Sequence, residues 1–124
     1  MEKPVYERFI GTTAEGFEIR FRAYPEDTLL NDVFDDEHET EDLNLRILRG
    51  ELKYFIANVV VSASGFEVGS EWLGCCLYRS YDEFCIEKDG YYDDMLRSAI
   101  IEAKENIKRI ASYCPHMEKE DERI

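Results

Sequence analysis

LKYFIANVVVSASGFEVGSEWLGCCLY, residues 52–78, is the stretch that decides the fold. Its first half, Leu52 to Ala63, is dense in β-branched and aromatic side chains (Tyr54, Phe55, Ile56, Val59, Val60, Val61), which fit a pleated, half-buried surface. Ser64-Gly65 breaks the run and Phe66 to Tyr78 resumes it, so the economical reading is an antiparallel hairpin. Gly69-Ser70 and Gly74 within the second strand predict a bulge or a close approach of another backbone.

Upstream, Phe17, Ile19, Phe21 and Ala23 alternate with Glu18, Arg20, Arg22 and Tyr24, the period-2 pattern of a half-buried strand. Val5 to Ile10 is its expected partner, Gly11 to Gly16 the turn, and Pro25 the end of this second hairpin. Thr28 to Phe34 reads as a short helix capped by Asp27 and burying Leu29, Leu30, Val33 and Phe34. Residues 43–49 fit helix or strand; Gly50 as a stop and Thr40 as a start favour helix.

Downstream, Ser80-Tyr81-Asp82-Glu83 matches a capping box, in which Ser and Glu satisfy each other's free backbone donors. A short helix from Tyr81 to Glu87, broken at Asp89-Gly90, should follow. Tyr92, Leu96, Ala99, Ile100, Ala103, Ile107, Ile110 and Cys114 then recur at helical spacing as one apolar stripe. Asp93 and Asp94 sit at its positive end, Lys104, Lys108 and Arg109 toward its negative end, and Pro115 stops it. The expected fold class is α+β: an antiparallel sheet of about four strands, built from two hairpins, with the long C-terminal helix packed on one face. Residues 1–116 should form a single domain, followed by a charged tail, 117–124.

The chain has 124 residues, 28 acidic and 15 basic, for a net charge of −13. Nine of its carboxylates fall between Glu26 and Asp42, where there is no Lys or Arg: Glu26, Asp27, Asp32, Asp35, Asp36, Glu37, Glu39, Glu41 and Asp42. Such a block repels itself, so a small domain keeps one only if it is tolerated or used. Its sign disfavours direct binding of nucleic acid or anionic lipid and favours a basic partner. Hydrophobic content of 44% argues for a folded core despite the charge. No run of apolar residues is long enough to span a bilayer, and Met1-Glu2-Lys3-Pro4 lacks the pattern of a signal peptide, so a cytoplasmic location is expected. Cys75, Cys76, Cys85 and Cys114 are then expected as free thiols.

Catalytic and metal chemistry find little support. Alternate acids from Asp35 superficially match a calcium loop, but positions six and twelve of that loop hold Thr40 and Arg46 rather than Gly and Glu. Cys75 and Cys76 are adjacent on a strand and point to opposite faces, and Cys114-Pro115-His116 has no second ligand pair, which argues against zinc. His38 stands among carboxylates, where it is expected to relieve local repulsion rather than to create a general base. There is no nucleophile elbow, phosphate-binding glycine loop or zinc-protease helix. Neither enzymatic activity nor a cofactor is expected.

Drawn out as a strand, Asp35, Glu37, Glu39 and Glu41 would repeat at roughly 6.6 Å, near the phosphate repeat of a nucleic-acid strand. With Asp35-Asp36-Glu37-His38-Glu39-Thr40-Glu41-Asp42 and its overall charge, the chain resembles the small acidic phage- or plasmid-encoded anti-defence proteins, the DNA-mimicking anti-restriction and anti-CRISPR inhibitors. That resemblance implies an inhibitor acting in the bacterial host cell as a decoy on the basic nucleic-acid-binding surface of a defence protein or complex. The expected partner-binding residues are Asp32, Asp35, Asp36, Glu37, Glu39, Glu41 and Asp42 for charge, with Trp72 and Tyr92 as aromatic anchors. The competing expectation is a non-enzymatic assembly or scaffold module, pairing at the edge of the 52–78 hairpin with a partner or as a homodimer.

Overall fold

Four strands, β1 (Tyr6–Thr12), β2 (Glu18–Pro25), β3 (Lys53–Ala63) and β4 (Phe66–Tyr78), form one open antiparallel sheet in the order β1-β2-β3-β4. The computed structural model describes residues 3–87 and 90–113. The helices are α1 (Glu37–Leu48), α2 (Tyr81–Ile86) and α3 (Tyr91–Tyr113), with a single 3-10 turn at Leu30–Asp32. The chain is thus an α+β fold, with both hairpins and the terminal helix where the sequence places them. The expected tail, together with Asp89, Cys114, Pro115 and His116, lies outside the described residues.

The alternation in β2 translates directly into a two-faced sheet. Phe17, Ile19, Phe21 and Ala23 point inward with Phe55, Ala57, Val59 and Val61 of β3, and all are buried. Onto this inner face α2 contributes Phe84, and α3 contributes Tyr92, Met95, Ala99 and Ala103. Edge-on ring pairs knit one end of the core: Phe84 lies 5.8 Å from Phe55 and 6.3 Å from Tyr92, and Phe21 lies 6.4 Å from Phe55. Such pairs add about 0.5–1.5 kcal/mol each to the area they bury. The outer face carries charge ladders instead, Arg22 to Glu7 at 2.8 Å and Arg20 to Glu18 at 3.2 Å, with Arg20 stacked over Phe9.

Both predictions for the β4 glycines hold, at different positions. Gly74-Cys75 forms a bulge opposite the Phe55–Ala57 step, and Cys75 rather than the glycine takes the left-handed conformation, φ 56°. Gly69 is the close approach. A Cβ there would meet the Ala99 carbonyl at 2.3 Å and the Ala103 amide at 2.9 Å.

Three expectations are corrected. The 28–34 segment makes only the 3-10 turn, without a side-chain cap from Asp27, and buries Leu30 while Leu29 and Val33 stay exposed. The helix after it covers 43–48 as expected, but it is capped by Asp36 and begins at Glu37 rather than at Thr40. On α3 the apolar stripe outruns the sheet: Asn106 still donates to the Val68 carbonyl at 2.7 Å, but Ile107 is 36% and Ile110 56% exposed. Because α3 reaches Tyr113, Lys104, Lys108 and Arg109 stand before its last turn, where the dipole has faded, and Lys104 pairs with Glu15 at 3.3 Å instead.

Ordinarily Gly→Ala within a strand is neutral or stabilising. Gly69→Ala should instead cost about 1–3 kcal/mol, because α3 must move off the sheet. Urea unfolding of Gly69→Ala against wild type checks this, and equal stability would show that α3 does not rest on Gly69.

Candidate acidic docking surface

The acidic run lies in the connection between β2 and β3, and a few contacts fix its course. Past Pro25 the Tyr54 hydroxyl donates to the Thr28 carbonyl at 2.8 Å. Tyr54 neighbours Phe55 in β3 and so faces the outer side, which places this segment across the sheet from α2 and α3. Glu26 leans on the β4 bulge, with Oε1 3.7 Å from the Cys75 thiol. Leu30 and Leu52 bury the two ends of the connection.

Nine carboxylates between Glu26 and Asp42 would be expected to resist ordering, yet α1 begins among them. Asp36 is its N-cap: Oδ1 accepts from the His38 amide at 2.9 Å and the Glu39 amide at 3.4 Å. Glu37 and Glu39 occupy the first turn, where the helix dipole favours negative charge. The Thr40 hydroxyl is buried and donates to the Asp36 carbonyl at 3.0 Å. At the other end Gly50, φ 78°, closes a Schellman turn: its amide donates to Ile47 and that of Glu51 to Arg46. The strand-like row with a phosphate-like repeat is therefore not what forms. Capping by Asp36 and the dipole turn the repulsion of the first carboxylates into stabilisation, and the chain winds up.

The result is a short, strongly negative helix. Asp32, Asp35, Asp36, Glu37, Glu39, Glu41 and Asp42 are all exposed. Among the described residues none of them takes part in an ion pair; the carboxylates that do are Glu7, Glu15, Glu18, Glu51, Asp82 and Asp94. Glu37 and Glu41 share one helix face, with β-carbons about 5–6 Å apart.

The two aromatic anchors part company. Trp72 is 56% exposed on the outer face, packed on Tyr24 at 5.4 Å. Tyr92 is only 6% exposed, enclosed by Phe21 and Phe84, so it belongs to the core and offers no partner a handle. A tyrosine on the first turn of an amphipathic helix faces the core or solvent according to phase, and Tyr91, its neighbour, is the exposed one. Of the acids on α2 and α3, Asp82 is held by Tyr6 and Arg8, and Asp94 by Arg97. What sequence reasoning missed is apolar: Leu45 and Leu48 are exposed on α1 itself, Leu48 to 83%.

Elsewhere the chemistry is quiet. A cleft of about 330 Å³ runs along Leu73–Tyr78 beside Tyr91, lined by the Cys75 and Cys76 residues and the Tyr78 and Tyr91 phenols. Burial pushes Cys76 up to about 11 and Cys85 up to about 12, which keeps both as unreactive thiols near neutrality. Among the described residues no three His, Cys, Asp or Glu side chains converge to hold a metal ion, and no helix is long and apolar enough to cross a membrane. No protein family matches this chain, and comparisons with curated proteins and with solved structures find no significant similarity.

Asp36→Ala removes the cap and should destabilise the protein by about 1 kcal/mol, whereas Asp36→Asn should be nearly neutral because Asn caps equally well. Urea unfolding of the pair checks the assignment. Equal losses in the two would mean that the charge of Asp36, not its capping geometry, is what matters.

Proposed function

We propose that this protein is an acidic inhibitor that occupies the basic nucleic-acid-binding surface of a bacterial defence protein or complex, acting as a decoy in the host cytoplasm. The observation that carries the reading is the concentration of seven exposed carboxylates between Asp32 and Asp42, on and just before one capped helix, none of which takes part in an ion pair among the described residues. Held on a capped helix rather than a loose chain, the charges are pre-positioned, which lowers the ordering cost of association. They also steer a basic partner toward this end of the molecule.

The assembly reading keeps one specific observation in its favour: β4 is a 13-residue edge strand. Its bulge at Gly74-Cys75 and a second irregularity opposite Val61–Ser62 twist that edge, and bulges are a common way to blunt pairing. The acidic surface is therefore the stronger candidate.

A tagged protein incubated with bacterial lysate should recover a basic nucleic-acid-handling complex at low salt and release it at high salt or on addition of DNA or RNA. Replacing Asp32, Asp35, Glu37, Glu39, Glu41 and Asp42 by amides should weaken binding on the order of a hundredfold, taking about 0.5 kcal/mol for each exposed pair. A folded hexa-amide variant that binds the same complex unchanged would refute the proposal; a salt-resistant partner with no nucleic-acid role would favour assembly.

A further inference from the structure

We infer that the outward side of α1 is a two-part docking face, with carboxylates at its N-terminal end and two exposed leucines at its C-terminal end, and that the surface it fits is a basic one with an apolar pocket alongside. The inference rests on the reading of the acidic helix as the docking element and specifies what kind of basic surface can receive it.

The geometry follows from helix phase. Thr40, Leu43 and Ile47 form the inward side of α1; Thr40 is buried, and Leu43 and Ile47 are half-buried. Glu37, Glu41, Leu45 and Leu48 fall at i, i+4, i+8 and i+11, within an arc of about 80° on the outward side. All four are exposed, Leu45 to 49% and Leu48 to 83%. The stripe thus runs from two carboxylates to two leucines over about 16 Å of helix.

Single exposed leucines are common and need no account. Here two stand on consecutive turns of the helix that also holds the unpaired charge, and a Lys or Gln would form that helix as well. A surface built only to bind phosphates would meet the carboxylates and leave the leucines in water. A groove with basic residues at one end and an apolar floor at the other would desolvate them, as grooves that receive amphipathic helices do. The charges then govern the rate of encounter and its salt dependence, and the leucines govern residence.

Two fluorescent peptides of equal positive charge separate these contributions in an anisotropy titration: an oligolysine, and an amphipathic helix of Lys and Leu. Wild type should bind the Lys/Leu helix about tenfold or more tightly than oligolysine. Leu45→Gln with Leu48→Gln should abolish that preference while leaving oligolysine affinity unchanged; both positions are exposed, and circular dichroism confirms that the variant folds. Glu37→Gln, Glu39→Gln, Glu41→Gln and Asp42→Asn together should weaken both peptides about equally and keep the preference. Preference surviving in the double-Gln variant would overturn the two-part face. Failure of wild type to bind either peptide better than the four-amide variant would instead overturn the reading of the acidic helix on which it rests.

Discussion

Helix α3 reaches the sheet because Gly69 has no side chain. The carbonyl of Ala99 and the amide of Ala103 sit where a Cβ of β4 would be, and Ala99 and Ala103 are wholly buried at that contact. Small residues at one end of the inner face bring helix and strand backbones together. At the other end Phe21, Phe55, Phe84 and Tyr92 fill a wider space, with Phe84 of α2 touching both the sheet and α3. A single crossing therefore sets the height of α3, and the height of α3 leaves room for α2. Side chains in such a close-packed interior cannot absorb an added methyl without moving a whole element.

With both long-range helical contacts on the inner face, the connection between β2 and β3 is left to the opposite side and contributes little to the core. That division explains how the fold tolerates its charge. Like-charge repulsion weakens a compact state most when it acts between elements that must pack. Here the carboxylates project from and just before a helix whose inward side is Thr40, Leu43 and Ile47, and the segment leading toward it is tied to the sheet by Tyr54 at Thr28 and by Glu26 at Cys75. Asp36 and the helix dipole absorb part of the remaining repulsion. Charge and stability are thus housed in separate parts of one small sheet-and-helix unit.

The sheet and its inner face were legible because alternation in β2, the Ser64-Gly65 break and the Ser80 cap are local signals with local consequences. The acidic segment was not. Asp36 is one acid among nine in the sequence, and only the backbone shows which of them accepts from the following amides. Periodicity marked the apolar side of α3 correctly but carries no information on where the sheet beneath it ends, so Ile107 and Ile110 read as core. Tyr92 failed as an anchor for a related reason: an aromatic next to a loop looks available until its phase is fixed by Phe84 and Phe21. Leu45 and Leu48 were hidden in a stretch that suited either helix or strand, and each assignment exposes a different set of side chains.

The central claim is that the acidic run is ordered in the free protein, so that its charges are presented rather than merely carried. Backbone chemical shifts measured by NMR for residues 37–48 of the isolated protein test it most directly. The account predicts helical Cα shifts across this span, starting at the residue after Asp36 and unchanged between low and high salt. Random-coil shifts in the free protein, or helical shifts that appear only in high salt, would contradict it.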